Sequence, residues 1–425
     1  MASVTESASQ LAADLLNIKM EKYLGWVWAA ILAVFLGYRV VLWSLRYIRQ
    51  IASLGHDKQR IFSYPNSTYA FCKRHIFYAP LLSKRHHREF KLSAAINVGT
   101  LPSRTQAFFL IGYVGMNVAL CVVHLPWSAN RHEIAGYLRN RTGVLSVMNM
   151  IPLFLFAGRN NPLIWMLDIS FDSYNLMHRW IGRTVVLEAL AHTLAWTVDT
   201  VISKGWNVVG KMLIKSEFFL AATIGIFALV VMTLQSPSII RHAFYEVFLG
   251  VHFLLAVIAV VTIWMHLEGL SQQTLLKAAV GLWIVERAIR FFRLVKNNIG
   301  HSKTTAEVTL LPGDAVRVTL RVARPWTFKP GQHVYLYMPR IGLWTSHPFS
   351  LAWSGEDDGH LNEKSLPHDS YDILASKKTT MSLIVRRRTG FTERLYERAE
   401  NSISGSFTTI AFVEGPYGVL SLSLP

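Results

Sequence analysis

The sequence is short of charge, of cysteine and of the signals that mark secreted proteins. Only 16% of its 425 residues are charged, against about 25% in typical soluble domains. Because 52% are hydrophobic, the composition favours a membrane protein. Two cysteines, Cys72 and Cys121, exclude a disulfide framework. The N-terminus lacks the basic segment and adjoining apolar core of a cleaved signal peptide, so we expect none.

Acidic residues are also scarce, since 26 Asp and Glu face 43 Lys and Arg and leave a formal net charge of +17. An excess of this size can mark a nucleic-acid-binding protein. In a membrane chain, however, it is the usual sign of basic cytoplasmic loops. We therefore expect a lipid bilayer around this chain and no nucleic-acid partner.

What the sequence has instead is long apolar runs. Stretches long enough to cross about 30 Å of hydrocarbon lie at residues 24–45, 105–125, 143–166, 175–199, 217–235, 244–266 and 274–296. They predict a membrane all-α bundle of about seven transmembrane helices. With the N-terminus outside, the loops place 17 Lys and Arg inside and 8 outside. The positive-inside rule therefore predicts an outside N-terminus and a cytosolic C-terminal part.

The pattern changes after residue 300. Short alternating runs at residues 306–311, 316–322, 333–338 and 381–387 are separated by Gly, Pro and Asp, which is typical of β-strands joined by turns. These runs predict a small cytosolic antiparallel β-barrel. Residues 355–378 are polar and show no strand pattern, so we expect a surface loop there.

Four histidines interrupt the apolar runs. His178 and His192 are 14 residues apart in the fourth span, and His252 and His266 have the same spacing in the sixth. Fourteen residues turn a helix to about 40° short of four full turns and rise about 21 Å, so each helix presents two imidazoles on nearly one face. Because one span separates these two helices, they run parallel. His178 then reaches the depth of His252, and His192 that of His266.

Paired imidazoles on opposite sides of a macrocycle are the six-coordinate haem ligation suited to electron transfer. The spacing therefore predicts two haems stacked across the bilayer, with hydrogen bonding to other helices as the alternative. Other histidines have weaker claims. His86 and His87 lie in a basic loop and favour a solvated surface. His124 and His132 lie near the outer surface, where an interfacial role competes with contact to a metal substrate.

Two motifs mark the C-terminal part. One begins a predicted strand and consists of His347, Pro348, Phe349 and Ser350. In the other, a glycine turn from Gly390 to Thr392 opens a helical run and offers backbone N–H groups to a phosphate. Arg386 and the two arginines after it add positive charge. Alone, each motif is weak, because an ordinary strand entry and a solvated basic edge would look the same.

Together these features resemble one family. The chain is similar to the fungal ferric-chelate reductases of the plasma membrane, within the superfamily that includes the NADPH oxidases. The resemblance runs from about residue 45 to the end. It is carried by GTLPSRTQAFFL at 99–110, AGRNNPL at 157–163, the four histidines, HPFS at 347–350, GFT at 390–392 and EGPYG at 414–418.

The resemblance implies two b-type haems and FAD, with electrons passing from a cytosolic flavin through an inner and an outer haem to extracellular ferric or cupric chelates. It implies a tail, first span and basic loop in residues 1–104, a six-helix haem domain in 105–297 and an FAD-binding barrel of ferredoxin-reductase type in 301–425. In that family the HPFS residues line the isoalloxazine, while Arg386 and the turn from Gly390 to Thr392 hold the flavin phosphates. The partners that the resemblance implies are a second copy, in a homo-oligomer, or a metal permease.

The family also continues past the GPYG turn into an NADPH-binding module. This sequence ends at Pro425, seven residues after Gly418, so we expect no NADPH domain within it. Two other functions stay open beside metal reduction. One is a superoxide-producing NADPH oxidase, although those oxidases generally have six spans. The other is a non-catalytic haem-binding membrane subunit.

Overall fold

The structure is a computed structural model that describes residues 2–53, 67–81, 89–91, 97–100, 102–300, 302–324, 326, 329, 331–342, 345–357 and 378–418. These residues divide into two compact units, Met1–Ile284 and Val285–Leu424. The first is helical, and the second is built mainly from β-strands. The histidines His86 and His87 lie outside the described residues.

The helical unit contains a short hairpin and eleven α-helices among its described residues, the last helix continuing into the second unit. Its elements are α1 (Ala2–Ser53), α2 (Ser67–Cys72), a π-helical turn (Lys73–Phe77), β1 (Glu89–Lys91), β2 (Asn97–Thr100), α3 (Arg104–Val122), α4 (Arg131–Ala157), α5 (Leu163–Leu167), α6 (Phe171–Lys204), α7 (Trp206–Lys215), α8 (Glu217–Leu234), α9 (Ser238–Ala243), α10 (Tyr245–His266) and α11 (Gln273–Asn298).

Each predicted span overlaps one long helix, but apolarity supports only five of the seven. Five described helical segments are long and apolar enough to cross a membrane, in α1, α3, α6, α8 and α10. The other two, α4 and α11, include buried polar side chains such as Arg141, Asn149 and Glu286, which lower their mean hydropathy. The run predicted at 143–166 also has the wrong bounds, since α4 begins at Arg131 and ends at Ala157.

The exposed surface of the helices is apolar. Phe108 on α3 is 75% exposed, Leu187 on α6 is 66% exposed and Phe227 on α8 is 68% exposed. Large apolar side chains exposed on helix after helix are expected where lipid takes the place of water. Inside, Val147, Ile181 and Leu276 belong to one buried cluster. The helical unit is therefore a membrane bundle with a packed interior.

Local contacts explain where α3 begins and ends. Ser103 caps α3 because its hydroxyl accepts a hydrogen bond from the Gln106 backbone N–H at 3.2 Å, while the Gln106 side chain accepts from the Ser103 N–H at 2.9 Å. This reciprocal arrangement is a capping box. At the other end, the guanidinium of Arg141, fully buried on α4, donates to the backbone carbonyls of Cys121 and Val123. The positive charge thereby meets the carbonyl end of α3.

The second unit forms two antiparallel sheets around one core. Its elements are the end of α11, β3 (Thr305–Leu311), β4 (Ala315–Arg321), β5 (His333–Tyr337), β6 (His347–Ser350), β7 (Trp353–Asp357), β8 (Lys378–Arg386), α12 (Phe391–Glu400), β9 (Ser406–Ile410) and β10 (Phe412–Tyr417). The strand orders are β10-β5-β6 and β7-β8-β4-β3-β9. Alternate residues such as Val318, Leu320 and Leu336 are fully buried, as the alternating pattern predicts.

The prediction of a surface loop at residues 355–378 is partly wrong. Residues 355–357 belong to β7, and Lys378 begins β8, with which β7 pairs from Asp357 opposite Lys378 to Trp353 opposite Ser382. Backbone hydrogen bonds of a ladder do not depend on apolar side chains, so a polar segment at a sheet edge can form a strand that the pattern misses. Residues 358–377 lie outside the described residues.

Candidate functional site

Helices α6 and α10 bring the four membrane histidines together in two pairs. The ring centroids of His178 and His252 are 6.4 Å apart, with 65° between the ring planes. Those of His192 and His266 are 6.2 Å apart, with 74° between the planes. All four side chains are half-buried within the bundle. The structure thus places each histidine opposite the partner that the 14-residue spacing assigns to it.

Backbone carbonyls orient three of the four rings. The Nδ1 atom of His178 lies 3.0 Å from the Leu153 carbonyl, that of His192 lies 2.8 Å from the Arg139 carbonyl, and that of His266 lies 3.2 Å from the Phe218 carbonyl. Because a carbonyl oxygen only accepts, Nδ1 carries the proton and the Nε2 lone pair stays available. Metal-binding histidines commonly have this outer hydrogen bond. Nδ1 of His252 has no acceptor among the described residues.

The donor set fits a metal held in a macrocycle. A metal–nitrogen bond of about 2 Å and a ring radius of about 1.1 Å would place two imidazole centroids on opposite sides of a metal about 6 Å apart. The measured separations of 6.2 and 6.4 Å agree with that distance. Among the described residues, no group of three or more His, Cys, Asp or Glu could hold a bare metal ion. A porphyrin supplies the four equatorial nitrogens that two histidines lack.

A buried polar network is centred on Glu188, which lies between His178 and His192 on α6. Glu188, ten residues after His178 and four before His192, is only 5% exposed. Its carboxylate accepts from the Asn149 side-chain amide at 3.0 Å, and the same amide donates to the Asn117 side-chain oxygen at 2.7 Å. Tyr113 donates to the Asn149 side-chain oxygen at 3.0 Å. Sequence reasoning missed this network, although a carboxylate in an apolar span was a usable signal.

A charged cluster lies beside the His192 pair. Asp199 accepts from the Arg139 guanidinium at 2.9 Å and also contacts the Nδ1 atom of His132. Arg139 is the residue whose carbonyl meets His192. The side chain of His132 is 56% exposed, and its partner carboxylate is nearly buried. His132 therefore has a carboxylate partner in the protein, which favours the interfacial role over contact with a metal substrate.

In the second unit, the two predicted motifs meet through aromatic rings. His347 stacks on Phe391, with ring centroids 4.6 Å apart and 28° between the planes. Phe349 also lies near Phe391, at 6.3 Å. Along β6, His347 and Phe349 are half-buried, whereas Pro348 and Ser350 are exposed. The start of α12 thus sits directly against β6, and the exposed Pro348 and Ser350 alternate with the two residues that face Phe391.

The glycine turn has the backbone geometry that its sequence predicts. Gly390 immediately precedes α12 with φ +89°, a conformation that other residues rarely adopt. The Thr392 hydroxyl donates to the Arg388 carbonyl at 2.8 Å and accepts from the Arg388 backbone N–H at 2.9 Å. Its hydroxyl therefore closes the turn in this structure. Arg386 is exposed at the end of β8, where its charge remains open to solvent.

The EGPYG motif holds the end of α11. The buried carboxylate of Glu414 accepts from the Arg290 guanidinium at 2.9 Å and from the Tyr417 hydroxyl. Asn298 binds the backbone of Val413 in both directions, donating to its carbonyl and accepting from its N–H at 2.8 Å each. Sequence reasoning missed Arg290 and Asn298, because their partners lie more than 100 residues away in the chain.

Comparisons with known proteins agree with both units. Residues 142–263 match a family described as ferric reductase like transmembrane component, and residues 301–362 match an FAD-binding domain family. The first range contains His178, His192 and His252, and the second contains β6.

Relatives from fungi match most of the chain. It is 28% identical over 348 residues to ferric/cupric reductase transmembrane component 2 of Saccharomyces cerevisiae. The aligned region covers 80% of this chain and 45% of the relative. The chain is 28% identical over 399 residues to ferric reductase transmembrane component 3 of the same yeast, covering 91% and 51%. A probable cell surface ferric reductase of Aspergillus oryzae is 30% identical over 296 residues, covering 65% and 36%.

These matches support the fungal ferric reductase family. The chain spans about half the length of the first two curated relatives. It combines a membrane helical part with a C-terminal region of antiparallel sheets that matches an FAD-binding domain family.

Proposed function

We propose that this chain carries electrons across the membrane through two b-type haems, from FAD on the cytosolic side to ferric or cupric ions outside. His178 with His252 would hold the inner haem, and His192 with His266 the outer one. The observation that supports this most is the ring separation of 6.2–6.4 Å within each pair. That separation agrees with the roughly 6 Å expected for two imidazoles on opposite sides of one metal.

The chain's own residues contribute positioning. The carbonyls of Leu153, Arg139 and Phe218 set the ring planes and leave Nε2 free. The 14-residue spacing separates the two levels by about 21 Å along each helix. Each pair of histidines would hold a haem in the form that suits electron transfer rather than binding of dioxygen. When bound, haem iron supplies reversible one-electron chemistry, and FAD converts a two-electron input into single electrons.

The flavin site is proposed at β6 and the start of α12. His347, Pro348, Phe349 and Ser350 would line the isoalloxazine, with His347 held in place by its stack on Phe391. Gly390 and the backbone N–H groups that follow it would face a flavin phosphate, since a helix start favours anions. The exposed Arg386 would add positive charge.

Orientation and substrate also belong to the proposal. The excess of Lys and Arg in alternate loops favours an outside N-terminus and a cytosolic sheet unit. The relatives are named ferric or ferric/cupric reductases, and one is named a cell surface protein. These names support extracellular ferric or cupric ions as the substrate and the plasma membrane as the location. Association with a second copy or with a metal permease stays a prediction.

A reconstitution experiment tests the proposal. The full chain is purified with haem, its haem content is measured, and it is sealed into vesicles that enclose a chemical reductant. We expect two haems per chain and reduction of an external ferric chelate. In His192→Leu we expect about half the haem and no external reduction, with the inner absorbance retained.

The matched control is His132→Gln, at the same end of the bundle but outside the pairs, which should keep both haems. Unchanged haem content in His192→Leu would overturn the ligand assignment. Iron reduction that disappears on adding superoxide dismutase would instead support a superoxide-producing oxidase. Haem binding without reduction of any external acceptor would support the non-catalytic subunit.

A further inference from the structure

We propose that Gly143 on α4 is a positioning residue for the outer histidine pair. A glycine at this place lets the His192 ring lie against the α4 backbone and aim its Nε2 toward His266. The proposal rests on the proposed haem site of that pair, but its geometric part concerns the protein alone.

The space beside Gly143 is filled by the imidazole. A Cβ added at Gly143 would lie 2.7 Å from Nδ1 of His192, 3.1 Å from its Cε1 and 3.4 Å from its Cγ. Contacts below 3.0 Å are essentially never seen for a real Cβ. The same Nδ1 atom lies 2.8 Å from the Arg139 carbonyl, four residues before Gly143. The imidazole therefore occupies the space that a side chain at position 143 would need.

Neither side of this contact can move away freely. The ring is fixed by its hydrogen bond to Arg139. Helix α4 is tied to α6 on both sides of Gly143, because Arg139 binds Asp199 at 2.9 Å and the Ser146 hydroxyl donates to the Val185 carbonyl at 3.0 Å. A side chain at position 143 would therefore displace the imidazole before it displaced the helix.

The inner pair does not share the requirement for a glycine one turn after the accepting carbonyl. His178 meets the Leu153 carbonyl at 3.0 Å, and the residue four positions later is Ala157, the last residue of α4. A methyl group is present there, at the end of the helix. His192 uses a carbonyl in the middle of the same helix, and its ring lies against the next turn at Gly143. We therefore expect substitution of Gly143 to affect the outer haem alone.

The test compares Gly143→Ala with Gly136→Ala. Gly136 lies seven residues earlier on nearly the same face of α4, and an added Cβ there meets nothing within 4 Å. In the purified, haem-loaded full chain, Gly143→Ala should lower haem content from about two to about one per chain, or convert one haem from low-spin to high-spin. Gly136→Ala should keep two low-spin haems. Two unchanged low-spin signals in Gly143→Ala would overturn the proposal.

A double-mutant cycle keeps the proposal testable if Gly143→Ala folds poorly or if no haem binds. The melting temperature of the full chain is measured for Gly143→Ala, His192→Ala and the double variant. We expect Gly143→Ala to lower the melting temperature when His192 is present and to leave it unchanged or raise it when residue 192 is alanine, because the steric conflict is then absent. An equal loss in both backgrounds would refute the contact. Absence of haem from the unsubstituted chain would refute the proposed function. The double-mutant cycle would still test the contact between Gly143 and His192.

Discussion

The ion pair between Glu414 and Arg290 gives the sharpest stability prediction. Glu414 is 2% exposed, and its carboxylate accepts from both Arg290 and Tyr417. In Glu414→Ala, the Arg290 guanidinium and the Tyr417 hydroxyl both lose the carboxylate as an acceptor, while Arg290 keeps its hydrogen bond to the Ser346 hydroxyl at 3.4 Å. Breaking a buried pair from one side costs about 3–5 kcal/mol. Because 29% of the Arg290 side chain remains exposed, we expect the lower end, about 3 kcal/mol.

A loss of that size is a large part of the roughly 5–15 kcal/mol that stabilises a typical domain. At about 2–4 °C per kcal/mol, the unfolding midpoint of the sheet unit should fall by about 10 °C. The assay heats the full chain in detergent and measures the temperature at which flavin is released. Glu414→Gln keeps a side-chain acceptor and should lose less.

The matched control is Glu307→Ala. Glu307 faces Arg321 at 4.0 Å on the protein surface, with 44% and 52% of the two side chains exposed. Exposed pairs contribute about 0–1 kcal/mol, so this variant should melt close to the unsubstituted chain. If Glu414→Ala melts within 2 °C or so of Glu307→Ala, the pair does not hold the end of α11 in the way we describe.

Two further predictions concern the bundle and the glycine turn. Glu188→Leu leaves one amide hydrogen of Asn149 without its acceptor and should destabilise the bundle by about 1 kcal/mol. The loss is measured as a lower temperature at which haem absorbance disappears, and Glu188→Gln should not show it. Equal melting of the two variants would contradict this prediction. Gly390→Ala forces a side chain into φ +89°, a strain of about 1–3 kcal/mol, and should weaken flavin retention. Gly355→Ala, at a glycine with ordinary φ, should retain flavin, and equal retention in both would exclude strain.

The histidine pairs were open to prediction because they follow from helix periodicity. Fourteen residues repeat in two parallel spans, so depth and face are both determined by geometry, and the structure brings His178 to His252 and His192 to His266. The contacts that orient these rings were not open to prediction. They depend on which turn of α4 lies against α6, and nothing in the α4 sequence marks the carbonyls of Arg139 and Leu153.

The sheet unit divides in the same way. Alternating runs predicted β3, β4, β5 and β8, because one face of each strand is buried in the core. Strand β7 was missed, since Gly355, Glu356 and Asp357 have no apolar pattern and their position depends on pairing with β8. Likewise the polar start of α4, around Arg139 and Arg141, was missed because its contacts with other segments, and not apolarity, keep it helical.

Helix α11 has a practical consequence for dissecting the molecule. The border between the compact units, Ile284 and Val285, falls in the middle of this helix rather than in a loop. The residues that follow the border include Arg290, Asn297 and Asn298, which hold the β10 backbone and side chains. A recombinant flavin fragment that starts at residue 301 would omit these anchors. One that starts upstream of Val285 would retain them, and soluble expression trials should begin there.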